Sequence, residues 1–141
     1  MIDIQAECGL SPWSRNGYEA ELERADAIML VAKSEEDDAT VGFIIGRVTR
    51  FGPGADGIEA EIYNIGTRLT SRNSGIGSRL MTEFVRICSI ESVRRISLEV
   101  RVSNRSAIRF YAAKGFVTAR LRRDFYTNPV EDAEVMELGL V

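Results

Sequence analysis

The spacing of the apolar residues changes once, in the middle of the chain, and that change limits the fold more than any other feature. Up to Thr67 the apolar stretches are short and strand-like. They run over Ala27 to Lys33, over Thr40 to Phe51 (rich in Val, Ile and Phe) and over Ile58 to Thr67. The turn signal Gly52-Pro53-Gly54-Ala55-Asp56-Gly57 separates the last two. Past Gly75, Leu80, Phe84, Ile87 and Cys88 recur at the spacing of one helix face, which predicts a helix from about Gly75 to Ile90. Ile96, Leu98 and Val100 then alternate with Ser97, Glu99 and Arg101, as in a strand with two unlike faces. Asn104 to Lys114 reads as a second long helix, stopped by Gly115. Ile2 to Cys8 and Asn16 to Arg24 read as short helices, and Phe116 to Phe125 and Glu134 to Leu140 as closing strands. The expected fold class is α/β (α+β): a mixed central sheet of about six strands flanked by about four helices.

The 141 residues suit a single domain over 1–141, and 45% of them are hydrophobic, enough for a packed core. Apolar runs such as Ala27 to Ala32 and Val41 to Gly46 are far too short to cross a bilayer. No basic stretch followed by an apolar run opens the chain. A soluble cytoplasmic protein with no membrane partner is expected. The formal net charge of −3 argues against indiscriminate binding to nucleic acid, so no DNA partner is expected.

The chain contains no histidine. That excludes a Ser-His-Asp triad, a Cys-His pair and a histidine general base. Cys8 and Cys88 do not form a metal-ligand spacing, so no metal is expected. Proton transfer must fall to Glu, Asp, Tyr, Lys, Cys or water.

Arg72-Asn73-Ser74-Gly75-Ile76-Gly77-Ser78 follows a strand and opens a helix. Glycine lets the backbone approach a ligand closely, and the free N–H groups and dipole of a first helical turn favour an anion. A pyrophosphate fits such a turn; a tight strand-to-helix connection without a ligand fits two glycines equally well. Downstream, Glu99 points away from the apolar face of Leu98 and Val100. Asn104 and Tyr111, two helical turns apart, share one helix face. A carboxylate, an amide and a phenol can thus converge beside the turn. Taken singly, they also suit a solvated strand residue, a helix cap and a packing residue.

Together these residues resemble the GNAT superfamily of acetyltransferases. Arg72-x-x-Gly75-x-Gly77 is similar to its acetyl-CoA signature, and Asn104 to Phe116 to its second motif, N-x-x-A-x-x-x-Y-x-x-x-G-F. Pro12-Trp13-Ser14, Leu98-Glu99-Val100-Arg101, Ser103-Asn104, Arg122 to Tyr126 and Glu131-Asp132-Ala133 resemble the bacterial ribosomal-protein-alanine N-acetyltransferases. The resemblance implies a GNAT fold with acetyl-CoA as cosubstrate. It makes Glu99 the proton acceptor and Tyr111 the proton donor. The backbone of Ile65, Gly66 and Thr67 would hold the pantetheine arm. Arg72, Asn73, Ser74, Gly75, Ile76, Gly77 and Ser78 would form the pyrophosphate loop, with Asn104 beside it.

Against that family the N-terminus is short, so an edge strand is expected to be missing and a homodimer could pair across the exposed edge. Asn73 stands where relatives often carry arginine or lysine, and Gly66-Thr67 replaces a small-then-aliphatic pair. Glu61 is a second candidate base; otherwise it is a solvated carboxylate beside Glu59. The expected acceptor is the α-amino group of a protein or peptide N-terminus, a small-subunit ribosomal protein among the candidates, with Trp13, the Pro12 loop and Phe125-Tyr126 shaping the entrance. The alternatives are a small-molecule amine, favoured by an enclosed pocket rather than an open groove, and a non-catalytic acyl-CoA-binding module. The arginines Arg101, Arg105, Arg109, Arg120, Arg122 and Arg123 read as a solvated basic face.

Overall fold

The computed structural model describes residues 1–8, 10, 13–50 and 57–140. Among these, four α-helices and six strands follow in the order α1 (Ile2–Cys8), α2 (Arg15–Leu22), β1 (Ala27–Lys33), β2 (Thr40–Arg50), β3 (Ile58–Thr67), α3 (Ile76–Ile90), β4 (Arg95–Arg101), α4 (Arg105–Ala113), β5 (Val117–Tyr126) and β6 (Glu131–Gly139). A 3-10 turn at Leu69–Ser71 joins β3 to α3. The mixed sheet of six strands and the four helices agree with the sequence-based expectation. The last strand begins at Glu131, ahead of the expected Glu134. Pro12 and residues 52–56 of the predicted turn lie outside the described residues.

The strand order is β1-β2-β3-β4-β6-β5. Neighbours run antiparallel except β3 and β4, which are parallel. α3 lays Leu80, Met81, Phe84 and Cys88 on one face of the sheet, against Ile44, Ile62, Ile96, Leu98 and Met136. Phe84 is fully buried there, and its truncation to alanine would cost about 3–5 kcal/mol. On the opposite face Ile4, Tyr18, Phe43 and Ile45 form a smaller cluster with Trp13 packed against it. α2 starts where Ser14 caps it, its Oγ accepting from the Gly17 N–H at 3.0 Å. Glu21, at 3% exposed, ties α2 to β2 by accepting from Arg47 Nε at 3.1 Å. On this face α1 and α2 pack on the β1 to β3 side of the sheet. The outermost strand, β5, is exposed along its length.

One irregularity in β3 positions everything that follows. Its pairing with β2 passes from Ile45↔Asn64 to Gly46↔Ile62, so Tyr63 is an extra residue, a β-bulge. Gly46 lies opposite for a steric reason. A Cβ there would stand 2.5 Å from the Glu61 carbonyl oxygen and 2.5 Å from Phe84 Cζ. A bulge bends its strand, and the parallel pairing of β3 with β4 runs only from Glu59↔Arg95 to Ile62↔Leu98. Past that point the strands part. The wedge between them exposes the β4-facing backbone edge of the last residues of β3.

Candidate active site

α3 opens at Gly75, whose φ of +80° is left-handed and strained for any residue with a Cβ. No side chain caps this terminus, so its first-turn N–H groups are available to an anion. A cleft of about 680 Å³ lies in front of it. β3 contributes Ile65, Gly66 and Thr67 to the walls; the loop and α3 contribute Arg72, Asn73, Gly75, Ile76, Gly77 and Ser78. α4 closes the far side with Asn104, Phe110 and Tyr111. Every residue expected at the cofactor site is therefore in one cleft except Ser74, whose hydroxyl donates to the Ser71 carbonyl.

Two of these residues have local partners as well. Asn104 caps α4, its Oδ1 accepting from the Ala107 N–H at 3.2 Å, so the helix-cap reading holds for that oxygen. Arg72 turns toward α1 and donates from Nη2 to Cys8 Sγ at 3.3 Å, and that thiol donates to the Thr67 carbonyl at 3.2 Å. Tyr111 is buried among aromatic rings, with centroids 5.5 Å from Phe110 and 5.9 Å from Phe116. Burial pushes its phenol far above the usual range, so it stays protonated and able to donate.

The two carboxylates stand elsewhere. Leu98 and Val100 face the core that holds Tyr111, so Glu99, between them, faces the other side of the sheet. Glu99 and Tyr111 thus lie on opposite faces of the sheet. Glu99 accepts at Oε1 from Arg122 Nη1 at 3.0 Å. Glu61 lies beside Glu99 and Tyr63. Burial first, and then the charge of Glu99, raise the Glu61 carboxyl above its ordinary pKa. The Tyr63 phenol is raised by burial and by Glu61, and the Arg47 guanidinium lies 5.1 Å from its ring centroid. Tyr126 is pushed up to about 12 by burial and then by Glu99, with Arg101 4.4 Å from its ring centroid.

These contacts correct one expectation and add to another. Glu61 is not a solvated carboxylate but half-buried against Glu99. The arginines read as a solvated face are exposed except Arg101, and three of them also have partners: Arg101 binds Glu131 and the Thr127 and Pro129 carbonyls, Arg120 lies 3.8 Å from Glu137, and Arg122 holds Glu99. Tyr63 carries no motif and escapes a sequence reading, because buried and half-buried positions alternate through this bulge without a break. Trp13 packs against the smaller core cluster. Gln5 clamps its backbone, accepting from the Trp13 N–H at 3.0 Å and donating to its carbonyl at 2.8 Å, while its ring lies 6.1 Å from that of Tyr63. Among the described residues no cluster of three or more Cys, Asp or Glu side chains is placed to hold a metal ion. No helix there is long and apolar enough to cross a membrane.

Residues 1–116 match the acetyltransferase (GNAT) family. A Bacillus subtilis (strain 168) protein, provisionally assigned as a ribosomal protein bS18-alanine N-acetyltransferase, is 33% identical over 137 residues, spanning 96% of this chain and 85% of that protein. The crystal structure of the Escherichia coli ribosomal-protein-S18-alanine N-acetyltransferase superposes with a TM-score of 0.81 at 26% identity, covering 98% of this chain and 84% of the other. Arabidopsis thaliana Naa50, solved with the bisubstrate analogue CoA-Ac-MVNAL, gives a TM-score of 0.83 at 25% identity over 99% of this chain and 89% of its own.

Proposed function

The chain belongs to the acetyltransferase (GNAT) family and is an acetyl-CoA-dependent N-acetyltransferase; from that premise we propose that its acceptor is the α-amino group of a protein N-terminus, of the ribosomal-protein alanine type. One observation carries the reading. The wedge between β3 and β4 has an uncapped helix terminus and a cleft at one mouth, and a carboxylate on an open sheet face at the other. The names of the Bacillus and Escherichia relatives support a ribosomal-protein alanine acceptor, and the peptide portion of the Naa50 ligand supports a chain terminus. The side chains around Glu99 are open to solvent, with Arg122 at 48% and Phe125 at 39% exposed, which suits a peptide better than a small enclosed amine.

The cleft fits acetyl-CoA on three counts: it has volume for an extended arm, a strand edge with unpaired backbone groups, and a helix terminus suited to a pyrophosphate. Gly75, Ile76, Gly77 and Ser78 would hold the phosphates with Arg72 and Asn73 beside them, and Ile65, Gly66 and Thr67 the pantetheine arm. Once bound, acetyl-CoA supplies a thioester already activated toward amines. What remains is proximity and proton movement. Glu99 takes the proton of the acceptor ammonium, directly or through water. Backbone N–H groups of β3 stabilise negative charge on the reacting carbonyl oxygen. Tyr111 gives its phenolic proton to the departing sulfur.

Mass spectrometry after incubation with acetyl-CoA tests the acceptor. The panel varies the first two residues of free-N-terminus peptides and includes N-terminally blocked lysine peptides and spermidine. Acetylation confined to α-amino groups, strongest with Ala first, is the expected result. Transfer to spermidine or lysine alone would overturn the reading.

A further inference from the structure

Glu61 and Glu99 reach the same place from different strands. The parallel register sets Glu61 opposite Ser97, and the next two pleats bring Glu99 onto the same face beside it. The two side chains lie beside one another on adjacent strands, close enough for the charge of Glu99 to act on the Glu61 carboxyl, which burial already raises. The groups facing them from the packed elements are few: Arg47 on β2 is the register partner of Glu61, Tyr63 adjoins it on β3, Arg122 on β5 donates to Glu99, and Tyr126 at the end of β5 lies near Glu99. The other carboxylates of this face are already paired. Glu59 and Glu137 sit against Arg95, and Glu131 against Arg101.

We infer that Glu61 and Glu99 act as one proton-sharing pair, in which Glu99 meets the acceptor amine and Glu61 positions and shares the proton that Glu99 receives. The inference rests on the reading of Glu99 as the proton acceptor and adds a positioning residue to it. An α-ammonium has a pKa of about 7.7–8.0, whereas an ordinary glutamate sits near about 4.3, a poor match for accepting its proton. Two like charges held together in a half-dry site do not ionise independently: the first proton leaves with ease and the second is retained to higher pH. The doubly ionised pair is therefore a stronger base than either carboxylate alone. The balance is simple. One N–H bond of the ammonium breaks, its electron pair stays on nitrogen for attack, and the proton passes to a Glu99 oxygen and is shared with Glu61. Arg122 offsets part of the repulsion in the doubly ionised state.

The test needs two readouts on the same proteins, since Glu61→Gln and Glu99→Gln keep side-chain shape and differ in what they titrate. The first is a pH titration of the carboxyl carbons in protein labelled with ¹³C-glutamate. One signal titrating above the ordinary glutamate range, and lost in both variants, is the expected result. A high-titrating signal that survives in Glu99→Gln would show that burial alone raises Glu61 and would overturn the pair. The second is the pH dependence of kcat on one alanine-first peptide. Glu61→Gln is expected to lower kcat at neutral pH about tenfold and to move its acid limb downward, whereas Glu99→Gln loses about a hundredfold or more. An acid limb in Glu61→Gln that coincides with the wild type overturns the pair. Titration as described, in a protein that acetylates none of the peptides, supports the pair and overturns the acceptor reading instead.

Discussion

Arg122 on β5 reaches over the intervening strand β6 to place Nη1 3.0 Å from Oε1 of Glu99 on β4. Both the Arg122 side chain, 48% exposed, and its stacking on Phe125, at 4.5 Å from the ring centroid, make this a surface contact worth little to folding. Its value is to the carboxylate, whose position it fixes. Arg122→Met is therefore expected to leave Tm within a few degrees and to lower kcat by roughly three- to tenfold, with KM for acetyl-CoA unchanged, since Arg122 is not among the residues lining the cleft. Arg122→Lys should restore part of the rate, because a single N–H contact is within the reach of an ammonium. Steady-state kinetics in both substrates decides. A rise in KM for acetyl-CoA would place Arg122 on the donor side instead.

Two glycines two residues apart should fail in different ways. A methyl group added at Gly75 would meet nothing within 4 Å, but φ there is +80°, so Gly75→Ala meets backbone strain alone. The expected cost is about 1 kcal/mol, or about 2–4 °C in Tm for a chain of this size. Gly77 has no such φ, and its Cβ would rest 3.6 Å from Phe110 Cζ, an ordinary contact. Gly77→Ala should melt like the wild type, yet raise KM for acetyl-CoA about tenfold or more by filling the approach to the first turn of α3. Scanning fluorimetry and kinetics separate the two. An unchanged KM in Gly77→Ala would remove the phosphate site from this helix terminus.

What made α3 legible was local: Leu80, Phe84 and Cys88 repeat on one face, and that face is the one buried. The outward orientation of Glu99 was legible for the same reason, since it alternates with Leu98 and Val100. The bulge at Tyr63 was not, because buried and half-buried positions alternate without a break from Ile58 to Thr67. Only the pairing with β2 reveals the extra residue. The partnership of Glu61 with Glu99 is likewise a matter of strand register between segments far apart in sequence, and Arg122 joins them from a third strand. Composition read those arginines as a solvated face, and Arg120 and Arg122 are exposed; their partners follow from the sheet order, which composition does not contain.

Tyr111→Phe removes one hydroxyl and keeps the ring that packs on Phe110 and Phe116. Stability should change little. If the phenol protonates the leaving sulfur, kcat falls by about a hundredfold or more while KM for acetyl-CoA stays within about twofold. Burial keeps the phenol protonated across any practical assay range, so its ionisation contributes no alkaline limb to the wild-type rate profile. A variant as active as the wild type on the same peptide would assign the proton to water or to another group.

Glu61 also leaves a mark on stability. Its carboxyl is raised in the folded protein by burial and by Glu99. A group with a raised folded-state pKa contributes stability that is whole below its unfolded pKa and is lost as pH rises through the folded value. From the ordinary carboxylate range up to the raised value of Glu61, the wild type should therefore lose stability relative to Glu61→Gln, which cannot ionise. The Tm difference, variant minus wild type, is expected to grow from about pH 4 upward through the raised value of Glu61 and then to level off. A difference that stays flat with pH would mean that Glu61 titrates alike in the folded and unfolded chain.

The two thiols give a test of the cleft that needs no acceptor. Cys88 is fully buried in the core under α3, and burial pushes its thiol up to about 12. Cys8 is half-buried, lines the cleft and donates to the Thr67 carbonyl. Thiolate character and access govern reaction with a maleimide, so the native protein should gain one adduct, at Cys8, and Cys8→Ser should gain none. Acetyl-CoA at about ten times its Kd should slow the labelling about tenfold if it fills the space against which Cys8 lies. Intact-mass spectrometry over time reads both effects. Two adducts appearing together would contradict the packing of α3 on the sheet. Labelling of Cys8 at the same rate with saturating acetyl-CoA would mean that the donor does not occupy the cleft between β3 and α4, and the roles assigned to Gly77, Asn104 and Tyr111 would fall with it.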